Sequence, residues 1–168
     1  MRRTSTMISP GHPFYATVGL VASEWAHCEH ILDLVIWKLA TTDPRYGACI
    51  TAQIMGISGR CKAIVALAQL EGLSPELIKR ARDLMNDSYH AADLRARVVH
   101  DPWFIEGGEA NVGQFKSMSY KDQRFGVMNV SEDDVKKTLA RIRKLKTAAG
   151  HLHRDFLAAL EALRRKDP

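Results

Sequence analysis

Two side chains in the middle of the chain, Arg95 and His100, have the types and spacing to act on a phosphate. Arginine carries a permanent planar cation whose fork of N–H donors matches phosphate and carboxylate oxygens. Histidine changes protonation state near neutrality and can give or take a proton. Arg95 shares its helical phase with Leu84, Ser88 and Ala91, which turns it toward a core. A guanidinium there must meet a carboxylate, a phosphate or water, or carry a large desolvation penalty. Glu29, beside an apolar stripe earlier in the chain, is the carboxylate expected as its structural partner; a bound anion is the alternative.

His100 follows Arg95 by five residues, about 140° round an ideal helix. This puts the two on different faces of a straight helix. A shared site is then expected to need a frayed helix end, or a second subunit across a two-fold axis. At a helix C-terminus His100 is favoured as imidazolium, suited to charge stabilisation or general-acid work. Serving as a helix-end cap is the structural alternative.

Two further patterns have chemical content. Glu24-x-x-His27 and Asp87-x-x-His90 space a carboxylate and an imidazole as di-metal helical bundles do. Each pair lies one residue off its apolar stripe, so it flanks the core, and neither a metal nor another cofactor is expected. Lys136, Lys137, Arg141, Arg143, Lys144 and Lys146 form a basic run on the outer faces of the last helical segment. It reads as a solvated face, with an RNA-binding patch as the alternative.

The elements that must hold these residues are helical. Val18, Val21, Trp25, Cys28, Leu32, Val35 and Leu39 recur three and four apart, which predicts a long first helix. Residues 42–47 read as a turn and 48–55 as a short helix stopped by Gly56. Residues 58–71 restore the helical period, and Gly72 stands where a left-handed cap is expected. Ser74-Pro75-Glu76 is an N-cap, a proline at the first helical position and an acid in the first turn, so the Arg/His helix starts there. Pro102 ends it.

Between Trp103 and Val130 the helical period vanishes. Gly107 and Gly108 precede the segments 114–119 and 124–130, which predict a β-hairpin or irregular arm. The last helix opens on Ser131 and three acids and closes on Arg164, Arg165 and Lys166, matching the macrodipole at both ends. The expected fold is all-α: an antiparallel bundle of four to five helices with a small β-hairpin or irregular arm before the last helix. Residues 1–13 are expected to be a flexible leader and 14–168 a single domain.

The whole chain has 168 residues, 46% hydrophobic and 26% charged, which excludes disordered, collagenous and disulfide-rich classes. Cys28, Cys49 and Cys61 are odd in number with no C-x-x-C spacing, and Cys28 and Cys61 fall within apolar helical patterns. They point to a reducing, cytoplasmic setting. No apolar run reaches the roughly 20 residues of a membrane span. A net charge of +5 is compatible with a polyanionic partner and requires none.

Arg95-Ala96-Arg97-Val98-Val99-His100, continued by Asp101-Pro102-Trp103, resembles the R-x4-6-H motif of the HEPN superfamily, helical domains of bacterial toxins and RNA-processing proteins. The first helix with Trp25, Glu29 and Leu32, the penultimate position of the motif helix and the long final helix extend the resemblance over most of the chain. It implies a metal-independent endoribonuclease acting in a homodimer cleft. Arg95 would hold phosphate charge and His100 would act on the 2′-hydroxyl or the leaving oxygen, with Arg97, Asp101 and Trp103 contacting substrate. It also implies an antitoxin or other protein partner. Many members carry Asn after the motif arginine, where this chain has Ala96. A non-catalytic helical module that binds RNA or a protein is the alternative.

Overall fold

The structure, a computed structural model, describes residues 5–106, 112–116 and 126–165. Helix α1 spans Phe14–Leu39 and buries Val21, Trp25, Cys28, Leu32, Val35 and Leu39, the stripe expected from the sequence. Helix α5, Glu132–Arg164, runs unbroken through Gly150, about 50 Å long at 1.5 Å per residue. Its start is fixed by a capping box: Ser131 and Asp134 each bond the other's backbone N–H. Helices α3, Gly56–Leu70, and α4, Pro75–His100, pack on each other and on the α1–α5 pair, completing a four-helix core in which α1 and α5 run in the same direction, Glu24 meeting Arg143 in their first halves and Thr41 meeting Arg164 at their ends. The short helix α2, Pro44–Thr51, packs on α1.

Helix α3 ends as Gly72 predicts. Gly72 has φ +66°, its N–H donates to the Gln69 carbonyl at 3.2 Å, and Leu73 N–H donates to the Ala68 carbonyl at 2.9 Å. This is the Schellman pattern, and the buried Leu73 supplies its apolar contact. Helix α2 departs from expectation, starting within the supposed turn and stopping four residues early. Asp43 Oδ1 accepts the Arg45 N–H at 2.9 Å and Pro44 takes the first helical position, repeating the start signal of α4. Gly47 hid that signal by reading as a breaker. Its role is close approach: a Cβ there would lie 2.6 Å from the Trp37 ring.

The arm is larger than a hairpin. Strands β1 (Ser5–Met7), β2 (Trp103–Glu106), β3 (Val112–Lys116) and β4 (Gly126–Asn129) form an antiparallel sheet in that order. Gly107, Gly108, residues 117–119, 124 and 125, and Lys166 lie outside the described residues. Residues 1–4 of the expected leader do as well; of its remainder, residues 5–7 form β1. Thr6 pairs with Ile105, Ile8 N–H donates to the Trp103 carbonyl at 3.2 Å, and Ile8 is only 3% exposed. A three-residue strand is too short to show a period, and its partner is about a hundred residues away.

One buried ion network has no signature in the apolar pattern. Arg60, 8% exposed, bonds Asp33 Oδ1 through Nε at 2.7 Å and the Ile54 carbonyl through Nη1 at 2.8 Å, with Glu29 Oε1 at 3.7 Å. It ties the start of α3 to α1. Cys28 and Cys61 lie in the core, where burial pushes both thiols up to about 12, so neither is a thiolate near neutrality. Arg60→Met should destabilise the fold by about 3–5 kcal/mol, because it strands two carboxylates at a desolvated interface. The check is a urea titration. Adding Asp33→Asn should recover part of the loss, whereas an unchanged midpoint for Arg60→Met would mean that the network contributes nothing.

Candidate functional site

The site is the last turn and a half of α4, and the sheet holds it rigid. Pro102 forces Asp101 into extended geometry, φ −80° and ψ 138°, so the chain leaves the helix at once. Trp103 then turns back under it. Its indole N–H donates to the Val98 carbonyl at 3.0 Å, and its ring meets Phe14 edge-on with centroids 4.6 Å apart. The Arg97 carbonyl receives the Asp101 N–H at 3.0 Å and the Gln114 side-chain amide at 2.7 Å. Two carbonyls that a helix end usually leaves to water are therefore bonded within the protein. This end does not need to fray to form a site.

On this turn Arg95 Nη1 lies 3.3 Å from His100 Nε2. The two meet despite lying about 140° apart round the helix, because side-chain length closes the gap. Five residues rise about 7.5 Å, which an arginine laid along the helix axis can span. Guanidinium nitrogens only donate, so a hydrogen bond across this distance requires Nε2 as its acceptor. Arg95 Nε is buried without a hydrogen-bond partner, and no carboxylate among the described residues pairs with this guanidinium. The expected Glu29 partnership is not formed, because Glu29 faces Arg60 instead. His100 is exposed and Arg95 half-buried, so the pair presents a guanidinium and an imidazole side by side at the end of α4.

The other expected site residues divide. Arg97 is half-buried, 3.4 Å from Asp93, and lines a cleft of about 550 Å³ between α4, β3 and the start of α5. Asp101 is half-buried at the helix exit. Trp103 is 4% exposed and its N–H is already used, so it positions the site and leaves no surface for a substrate. Gln114 escaped sequence reading because it lies in the arm, outside any helical period. A lone amide in a weakly patterned strand carries no local signal.

The basic run also divides. Arg143 and Lys146 both bond Glu24 of α1, Arg143 Nε at 3.1 Å from Oε1, so these two cations clamp α5 to α1. Lys136 pairs with Glu132 and Lys137 with Asp134 on the same helix. Among the described residues Arg141 and Lys144 have no carboxylate partner, and they face the groove toward α4. No three His, Cys, Asp or Glu side chains among the described residues come together as a metal cluster.

Comparison of the chain with protein-family models, curated proteins and solved structures finds no match. The Glu24 clamp has a pH signature. Its carboxyl is held below the ordinary glutamate range, first by the Lys146 hydrogen bond and then by that of Arg143. A depressed folded-state pKa contributes stability above the unfolded value, which is lost as pH falls through the folded one. Chemical denaturation across the acid range should therefore show Glu24→Gln with a shallower stability loss than the native chain, the two curves converging at the acid end. Parallel curves would dissolve the clamp.

Proposed function

We propose that the chain is a HEPN-like RNA-cleaving domain that works without metal through Arg95 and His100. The observation that carries this reading is the 3.3 Å contact between an exposed imidazole and a guanidinium with no carboxylate among the described residues. A phosphodiester supplies the missing anion. Arg95 would donate to the non-bridging oxygens and stabilise the charge that grows as the 2′-hydroxyl attacks phosphorus.

The attack forms a bond from the 2′-oxygen to phosphorus and breaks that to the 5′-oxygen, leaving a 2′,3′-cyclic phosphate. One group must take the 2′-hydroxyl proton and another must protonate the leaving oxygen. His100 would suit the first role once Arg95 turns to the phosphate and leaves the Nε2 lone pair free to take the proton. One chain brings one imidazole to this turn, so a two-fold homodimer that faces two such turns would complete the acid–base pair. A cytoplasmic toxin restrained by an antitoxin protein fits this activity. The second reading, a non-catalytic module that binds RNA or a protein, is favoured by one observation: Ala96, a full turn before His100 on the same face, cannot hydrogen-bond the imidazole or a phosphate.

Incubating the protein with RNA and a chelator should yield cyclic phosphate ends. Arg95→Ala and His100→Ala should each lower the rate by about a hundredfold or more while retaining the helical circular-dichroism signal. Undiminished cleavage in either variant, or cleavage only after metal is added, would overturn the proposal. Ala96→Asn should raise the rate on a normally folded chain, at about half a kcal/mol of helix propensity. No gain there, with no cleavage by the native chain, makes the binding module the better account.

A further inference from the structure

The groove between α4 and α5 joins two clefts through Arg141. The first, about 550 Å³, has an apolar floor of Leu94, Val98, Val130 and Val135 under Arg97, Lys137 and Arg141. The second, about 300 Å³, is polar and is lined by Asn86, Asp87, His90, Arg141 and Lys144. Lys137, Arg141 and Lys144 succeed one another at spacings of four and three, so they form one row along α5, about 5–6 Å apart at Cβ. Beyond Ala148 the character changes: the next cleft sets Asp83 and Asp87 against Arg80, which is already paired with Asp155 at 2.7 Å. The cationic stretch is therefore bounded, about 18 Å along α4 from Val98 to Asn86.

Its charge is only partly spent within the protein, Arg97 lying 3.4 Å from Asp93. Two carboxylates line the clefts, Asp134 and Asp87, against four cations and His90. Asp134 is committed to the α5 capping box and to Lys137 at 3.4 Å. The cations on the opposite side of α5, Arg143 and Lys146, are neutralised by Glu24. The same helix thus carries neutralised cations toward α1, while among the described residues Arg141 and Lys144, toward α4, have no carboxylate partner. Arg97 connects the groove to the Arg95/His100 turn, since residues three apart on a helix are surface neighbours and His100 follows Arg97 by three.

We propose that this groove is a track for single-stranded RNA, with backbone phosphates on Lys137, Arg141 and Lys144 and one base on the apolar floor of the first cleft. The inference rests on the RNA-cleaving reading and gives it a substrate class. A row of cations with phosphate-like spacing beside an apolar slot suits an unpaired strand, whose bases are available to enter the slot. A rigid duplex keeps its bases stacked inside and can offer only its backbone.

The test uses 2′-O-methyl RNA of about 12 nucleotides, which lacks the attacking hydroxyl and so reports binding alone. Fluorescence anisotropy over a salt series should show Arg141→Gln with Lys144→Gln weakening binding by about tenfold. The salt slope should also fall by about 1.4, since each single-strand phosphate contact contributes about 0.7. Lys136→Gln, on the same helix but outside the groove, should leave both unchanged, and a duplex of the same length should bind more weakly than the single strand. Native-like binding by the double variant, an equal loss from Lys136→Gln, tighter duplex binding, or no binding by the native chain would each overturn the groove. Failure of the cleavage proposal looks different: groove-dependent binding of 2′-O-methyl RNA persists while unmodified RNA is not cut by the native chain.

Discussion

The position of Trp103 governs this fold more than any other single residue. Its indole N–H closes the end of α4 on the Val98 carbonyl, its ring packs edge-on against Phe14 at the start of α1, and its own carbonyl accepts Ile8 N–H beyond β1. Its backbone pairs with Gln114 of β3, whose amide caps Arg97. Four stretches of chain converge on one residue, two through its ring and two through its backbone. A buried indole is worth this much because it combines a large apolar area with one directional donor, and both are used here.

That convergence makes the Arg95/His100 turn a suitable base for chemistry. A helix end left to water frays within its last turn, and side chains on it sample many positions. Here the carbonyls of Arg97 and Val98 are bonded inside the protein, so the backbone beneath the pair is held from the sheet side. Preorganised donors act on a developing charge without having to move first. The sheet, small beside the helices, thereby has a definite task. It is an anchor for one helix terminus, while the α1–α5 pair supplies most of the buried stripe.

Much of this architecture was legible in the residues, and the exceptions have physical reasons. Long helices declare themselves because their stripes repeat: Val21 to Leu39 on α1 and Val135 to Phe156 on α5 are buried as their spacing requires. Caps such as Ser74-Pro75 and Gly72 act within a few residues and are read locally. What escaped was non-local or a matter of reach. Strand β1 has meaning only beside β2, and Asp33 with Arg60 only when α1 meets α3. The Arg95–His100 contact depends on side-chain length, which helical angle alone does not express. Trp103 stands beside the motif in sequence, whereas burial assigns it to the core.

The pairing of Thr6 with Ile105 has a consequence for the order in which the fold is made. Closing a loop of about a hundred residues costs entropy that local helix formation does not, so contacts of this separation form late. Residues 5–8 are also synthesised long before their partner strand exists. Through translation of α1, α2, α3 and α4 this short segment has no sheet to join, and Ile8 has no core to enter. The helices can collapse without it. The sheet edge is then completed by residues made well before their partner, so the pairing of β1 with β2 waits at least until α4 has been synthesised.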